Sequence, residues 1–356
     1  MTELNRFCNN FDFLRFFAAT MVIFAHCYPL LFGLTCLDPF TMVNYSGITS
    51  GTLAVYIFFI ISGYLITLSW EKDPFLDNFF VKRILRIYPG YIVVVFGTSF
   101  ILGVILTNLT LFEYFRNFDY FGFVYNFLLL KQVYLPGVFQ SNPVPGAVNG
   151  SLWILLWEFK MYVLIAFLGF FGFLNKKNII LLIIVYSAVW YSWEMKLLVI
   201  QNTIVLNALL SPFPLYFLIG TFFAFNRERD YDYRIAILFL IAWILTLKSI
   251  IFILFSFIAI PYVILTFAHT KIPVINKFGI YGDFSYGLYI FAFPIQQIIV
   301  MAAGKHLTIF TFFISSFFIT LGCAILSWKM IESRVLALKT RFLRHHSLPN
   351  PILKTL

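Results

Sequence analysis

Two ionisable residues, Arg15 and His26, stand inside the first long apolar stretch of the sequence. Such side chains are costly inside a membrane, so they are candidates for function. On an α-helix they would share a face and be separated by about 16 Å along the axis. A desolvated imidazole is favoured in its neutral form, which can accept a proton, and we predict that His26 is a general base. A snorkelling arginine and a histidine satisfied within a helical bundle would leave the same pattern.

A second cluster of polar residues, Lys82, Arg83 and Arg86, precedes Tyr88-Pro89 and the next apolar run. Arg83 and Arg86 are three residues apart and would share a face of a helix. Paired guanidinium groups bind oxyanions in a bidentate manner, so this pair would suit a phosphate-bearing ligand. Ordinary positive charge at the inner membrane surface, or contact with lipid head groups, is the alternative.

A third candidate is Glu158, which lies in an apolar segment between Trp157 and Tyr162. Trp153 and Trp157 are four residues apart, and aromatic rings beside a carboxylate resemble a sugar-binding surface. Glu158 could orient an imidazole, accept a proton or bind a sugar hydroxyl. It could also pair with Lys160 or be buried for structural reasons, and tryptophan is common as a membrane anchor.

The elements that position these residues must be membrane helices. The chain is 61% apolar and only 11% charged, whereas soluble domains carry roughly 25% charged residues. We predict an all-α, polytopic transmembrane bundle of about ten spans. They are expected at 12–32, 51–70, 88–108, 153–173, 177–193, 212–226, 233–247, 249–267, 284–303 and 309–330, with 197–211 as a possible eleventh.

The distribution of Lys and Arg orients this bundle. With the N-terminus in the cytoplasm, eighteen of these residues fall in cytoplasmic segments and five on the opposite side. The net charge of +10 is therefore expected to mark the cytoplasmic face of the protein and not a nucleic-acid partner. The sequence predicts one membrane domain over 1–356 without an appended soluble domain, an interfacial helix near 118–130 and a flexible cytoplasmic tail at 345–356. The cysteines have no metal-binding spacing, and we expect no metal and no bound cofactor.

The chain resembles the family of integral-membrane O-acyltransferases of bacterial polysaccharides and glycolipids known as acyltransferase family 3. The resemblance extends over essentially the whole sequence and depends on motifs that occur in the family's order. They are Arg15 with His26, Phe59 to Gly63, Arg83 with Arg86, Ser151 to Tyr162, Ser285 to Pro294, and Glu332. Many members carry a histidine where this chain has Ala292, and Ser333-Arg334 replaces a common proline after the final glutamate.

The resemblance implies transfer of an acyl group, most simply acetyl, from cytoplasmic acyl-CoA to a sugar hydroxyl. It implies a donor site at Arg15, Arg83 and Arg86, with Ser62 and Gly63 allowing close approach of the donor. His26 and Glu158 are then expected to be catalytic, and Trp153, Trp157 and Tyr162 to bind the glycan acceptor. The expected location is the inner membrane of a bacterium.

Two other functions fit intramembrane charges and aromatic residues. A transporter or flippase for a lipid-linked sugar could line its path with Arg15, His26 and Glu158, although the sequence has no inverted repeat. A glycan polymerase would be expected to use the long outer loop 109–152, which has only Arg116 and Lys131 as cations. Consumption of acyl-CoA separates acyl transfer from both. The sequence does not give the oligomeric state.

Overall fold

The computed structural model describes residues 9–124, 133–195, 210–228 and 230–343. Within these ranges the chain is helical, and its only β-type pairing is an isolated bridge between Tyr134 and Ala147. The helices are α1 (Phe11–Phe32), α2 (Pro39–Val43), α3 (Ser50–Lys72), α4 (Leu76–Leu106), α5 (Leu111–Arg116), α6 (Phe118–Val124), α7 (Trp153–Phe170), α8 (Lys176–Glu194), α9 (Phe213–Ala224), α10 (Tyr233–Thr246), α11 (Ile251–His269), α12 (Ser285–Ala303) and α13 (Ile309–Phe342). The predicted tail 345–356, most of the segment 197–211 and the end of the predicted interfacial helix lie outside the described residues.

The prediction of an all-α, multi-pass bundle is confirmed. Seven helices of the described chain are long and apolar enough to cross a membrane, and α9 and α10 are shorter apolar helices. Each of the ten predicted segments coincides with a helix, although the number of crossings and the orientation stay predictions. The third span was predicted to begin at 88, but α4 begins at Leu76, so Arg83 and Arg86 belong to the same continuous helix. The last helix likewise continues past 330 to Phe342.

Polar contacts at the helix ends fix how the bundle is assembled. The Asn10 side chain donates to the carbonyls of Phe267 and Thr270, which joins the start of α1 to the end of α11. At the opposite end, Asp38 caps α2 and also accepts from the backbone and hydroxyl of Ser50 at the start of α3. These bonds satisfy polar groups that the ends of helices leave without a partner. The end of the bundle where α1 begins and α3 ends is called the basic end below.

Two π-helical turns interrupt long helices. In α4 the turn spans Gly97–Leu102, where Thr98 and Ser99 donate their hydroxyls back to the carbonyls of Val94 and Val95. Such back-bonding competes with the helical ladder. The turn in α13 spans Trp328–Glu332.

The second π-turn brings the buried carboxylate of Glu332 against α4. Ser327 donates to Glu332 across 2.7 Å. A side chain at Gly90 would place its Cβ 3.2 Å from Glu332 Oε1, so glycine at this position permits the approach. The final glutamate of the family motif therefore lies inside the bundle, next to the helix that carries the arginine pair.

Gly63 lies where α3 and α9 cross at very short range. A Cβ at Gly63 would overlap the carbonyl group of Phe217, and one at Gly220 would overlap that of Ile60. Close approach of two backbones through small residues is typical of helix packing in membranes. The structure thus places Gly63 in a helix–helix contact.

Replacing Gly63 with alanine is expected to destabilise the protein, because α3 and α9 would have to separate to admit the methyl group. Overpacking of this kind costs about 1–3 kcal/mol. The melting temperature of the purified protein in detergent measures the effect. Gly322→Ala is the matched control, since a Cβ there meets nothing within 4 Å. Equal melting temperatures for the two variants would contradict the assignment of Gly63 to packing.

The loop before α7 is attached to α12 by several buried hydrogen bonds, and the side chain of Gln297 makes three of them. Gln297 donates to the carbonyls of Val144 and Ala147, and Asn142 donates to the side-chain oxygen of Gln297. The oxygen and the nitrogen of the Gln297 amide therefore both have hydrogen-bond partners, and a buried network of this kind resists displacement. The loop that leads into Ser151 is therefore held on the bundle.

Candidate active site

A cavity of about 250 Å³ lies between α1, α3, α4, α7 and α12. It is called the inner cavity below. Six of the predicted site residues line it, from four different helices: Arg15, Ser62, Arg83, Arg86, Glu158 and Tyr162. The resemblance had assigned most of them to the acyl-CoA donor, and the structure brings them together at one place.

Two of the three arginines are engaged with Asp283, which follows Gly282 immediately before α12. Arg86 donates to Asp283 in a close ion pair, and Arg15 lies 3.7 Å from the same carboxylate oxygen. Ser285 donates to the other oxygen across 2.5 Å. Burial opposes ionisation of Asp283, but Arg86 and Arg15 outweigh it, so the pKa of this carboxyl lies below its usual range. Asp283 is an anion in this site.

Arg15 has a second carboxylate, Asp12, one turn before it on α1. The Arg15 guanidinium is 3.0 Å from Asp12. Lys82, at the edge of the cavity, is likewise paired with Asp73. These cations are therefore neutralised within the protein.

Arg83 differs from the other cations of the inner cavity. Only 8% of the residue's surface is exposed, yet no described carboxylate lies within salt-bridge distance of it. Its guanidinium stacks over Phe79 at 4.3 Å and lies 5.9 Å from the ring centre of Tyr162. Its Nε has no hydrogen-bond acceptor among the described residues. A buried charge without a partner is costly, so this position favours an anionic ligand.

Glu158 and Tyr162 form a pair on α7, one turn apart. The hydroxyl of Tyr162 donates to Glu158 in a short hydrogen bond. Ser62 of α3 lines the same cavity and lies beside both side chains. These groups form a polar patch in a cavity whose other walls are largely apolar.

His26 lines a second cavity of about 160 Å³, called the outer cavity below. The cavity is walled by α1, by the start of α3, by the loop 150–151 and by Phe213 of α9. The imidazole contacts Phe293 edge-on at 5.3 Å, and its buried Nδ1 has no hydrogen-bond partner in the part of the chain that the structure describes. Trp153, Asp38 and Ser151 also line this cavity.

The two cavities share two wall residues, Val55 of α3 and Tyr289 of α12. Tyr289 donates to the carbonyl of Ser151 across 2.9 Å, so its ring is fixed between them. Arg15 and His26 lie on the same helix and line the cavities on either side of this point. The predicted polar face of α1 therefore reaches from one cavity to the other.

The structure does not bring all the predicted site residues together. Glu158 lines the inner cavity and His26 the outer one, and no described residue hydrogen-bonds the Nδ1 of His26 to orient the ring. Trp157 is buried outside both cavities, with Lys160 over its ring at 4.6 Å. Trp153 faces the outer cavity and packs on Phe213 at 5.6 Å.

Sequence reasoning assigned no role to Asp283, Val55 or Tyr289. Tyr289 belonged to a family motif but was not assigned to the site. Asp283 carried a signal that could have been used, because it is a single anion immediately before an apolar span at an end rich in cations. Val55 is an ordinary apolar helix residue, and only the packed structure reveals its position.

Comparison with known proteins gives one family match and two relatives. The family model described as "Acyltransferase domain" matches residues 9–329. A protein named O-acetyl transferase, from Shigella phage Sf6, is 28% identical, over 92% of this chain and 96% of its own length. A shorter match, 42% identical, covers 24% of this chain and 22% of nodulation protein 10 from Rhizobium leguminosarum bv. viciae. No solved structure matches the chain significantly.

Proposed function

The chain belongs to the acyltransferase family whose model matches its residues 9–329, and from that membership we propose that it transfers an acetyl group from acetyl-CoA to a sugar hydroxyl. The full-length similarity to a protein named O-acetyl transferase supports oxygen as the acceptor atom and acetyl as the group. The acceptor is a cell-surface or exported polysaccharide or glycolipid. The protein works in the cytoplasmic membrane of a bacterium with its basic end toward the cytoplasm.

The observation that carries this proposal is a pair of cavities that meet at Val55 and Tyr289, with cations on one side and an imidazole on the other. The donor's phosphate groups bind at the guanidinium groups of the inner cavity, because charge-assisted bonds to phosphate are strong there. The pantetheine arm then extends along α1 from Arg15 toward His26. Its apolar and amide groups suit a cavity lined mostly by apolar side chains.

The chemical step takes place where the two cavities meet. A sugar hydroxyl in the outer cavity attacks the thioester carbon, and His26 accepts its proton. The new carbon–oxygen bond forms as the carbon–sulfur bond breaks. The thiolate of CoA leaves and takes the proton from the imidazolium, which restores His26. The donor and the acceptor can therefore reach the reacting atoms from opposite cavities, and neither has to cross the membrane.

The remaining site residues are assigned by the cavity they line. Glu158 and Tyr162, with Ser62 beside them, contact the polar groups of the pantetheine arm near the thioester. Trp153 presents its ring to the sugar in the outer cavity, where an aromatic face is suited to stacking. Trp157 and Gly63 hold the positions of α7 and α3, so we assign them no substrate contact.

The test is release of free CoA thiol from acetyl-CoA by the purified protein in lipid nanodiscs. The acceptor is lipopolysaccharide from which the O-acetyl esters have been removed by mild alkali, compared with buffer alone. We expect CoA release that depends on the glycan, together with new acetyl esters on it. Propionyl-CoA tests the size of the acyl group. A folded protein that releases no CoA with any acyl-CoA and any glycan would overturn the proposal.

The transporter and the glycan polymerase are less well supported than acyl transfer. The family match and the O-acetyl transferase relative both favour acyl transfer. If acyl-CoA proved not to be consumed, uptake of a lipid-linked sugar into proteoliposomes would be the next measurement.

A further inference from the structure

The three arginines of the inner cavity differ in whether a carboxylate is bonded to the guanidinium group. Arg86 and Arg15 share the carboxylate of Asp283, whereas Arg83 is buried over Phe79 with no described anion in bonding distance. A donor that carries several phosphate groups therefore meets one free guanidinium and two that are already neutralised. The arginines cannot contribute equally to binding it.

The residues on either side of Asp283 fix the position of its carboxylate. Gly282 before it has φ +122°, a conformation that other residues rarely adopt, and a Cβ there would meet the Trp328 ring nitrogen at 2.5 Å. Ser285 after it donates to Oδ1, which leaves Oδ2 directed at both arginines. The Asp283 side chain is 16% exposed, so its ion pairs are only partly screened by solvent.

We propose that Asp283 is an internal competitor for the donor's phosphate. It holds Arg86 and Arg15 while the cavity is empty, and a phosphate group of acyl-CoA displaces it from Arg86 after the donor has bound to Arg83. This inference rests on the proposed function and deepens it by dividing the donor site. Its consequence is weaker retention of CoA, because the carboxylate returns to Arg86 as the product leaves.

The competing reading is that Asp283 only orients Arg86 for the phosphate. The two interpretations predict opposite changes in the affinity for the donor when the carboxylate is removed. Removing a competitor strengthens donor binding, and removing a positioning group weakens it. CoA itself is the probe, since equilibrium binding of the product requires no turnover and no glycan.

The experiment measures the Kd of CoA for the full-length protein in nanodiscs, with Asp283→Asn as the variant. Asparagine keeps the shape and an acceptor for Ser285 but removes the charge. We expect the Kd to fall about tenfold, the size of one charge-assisted contact. Glu71→Gln is the matched control, because Glu71 is also paired with an arginine, Arg227, but lines neither cavity. Its Kd should equal that of the wild type.

A double-mutant cycle shows that the gain passes through the arginine. In an Arg86→Gln background, Asp283→Asn should change the Kd by less than about twofold, because the released guanidinium is gone. Melting temperatures close to that of the wild type establish that each variant is folded. An unchanged or raised Kd for a folded Asp283→Asn variant overturns this inference alone. Failure of the wild type to bind CoA overturns the proposed function and this inference with it.

Discussion

Replacing His26 with alanine is expected to lower kcat for acetyl transfer about 100-fold or more, because general-base catalysis contributes that much to reactions of this kind. The imidazole is the only ionisable group that α1 presents to the outer cavity among the residues described there, and Arg15 on the same helix lines the inner one. The Kd of CoA should stay within about twofold of the wild-type value, because the donor's phosphates bind in the other cavity. Glycan-dependent release of CoA thiol measures the first quantity, and equilibrium binding measures the second.

His306→Ala is the control for this experiment. His306 is an exposed histidine shortly after α12 that lines neither cavity, so its loss should not change kcat. Retention of full activity by the His26→Ala variant would remove the base from the mechanism. Loss of CoA binding together with activity would mean that His26 supports the fold and not the chemical step.

The relative positions of candidate site residues that the sequence could predict are those encoded by local periodicity. Arg15 and His26 are eleven residues apart on α1, and helical geometry alone places them on one face. The same holds for Arg83 and Arg86, one turn apart on α4. A membrane helix keeps this geometry whatever surrounds it, because its backbone must satisfy its own hydrogen bonds.

Contacts between distant segments could not be predicted in this way. Asp283 and Arg86 are separated by 197 positions, and their ion pair depends on how α4 and α12 pack. Gly63 was placed at the donor because its motif resembles a family element, but the crossing of α3 with α9 puts it against Phe217. Only the packed bundle shows which face of a helix meets a cavity and which meets another helix.

The start of α4 illustrates a different limit of the sequence. Hydropathy placed the span at 88–108, since the preceding turns carry Lys82, Arg83 and Arg86. The helix nevertheless begins at Leu76, because charge does not prevent helix formation when the side chains face a cavity. A scale that measures transfer into lipid therefore underestimates the length of helices whose polar residues face a cavity inside the bundle.

Replacing Arg83 with glutamine is expected to raise the KM for acetyl-CoA and the Kd of CoA by between about 10-fold and 150-fold, the range that follows from the loss of hydrogen bonds to a charged group. Arg83 is the buried cation of the inner cavity that forms no salt bridge with a described carboxylate, so a donor phosphate need not displace a bonded acid from it. A saturating concentration of donor should restore most of kcat, because Arg83 and the imidazole line different cavities.

The same substitution at Arg86 should have a smaller effect, since Asp283 already occupies that guanidinium in the empty cavity. Arg334→Gln is the control for general loss of positive charge at the basic end, as Arg334 is exposed on α13 and lines neither cavity. Arg83→Lys should bind CoA with intermediate affinity, because lysine keeps the charge and loses the planar fork that matches phosphate. Equal losses at Arg83 and Arg86 would show that both arginines hold the donor alike, and the unpaired state of Arg83 would then carry no functional meaning.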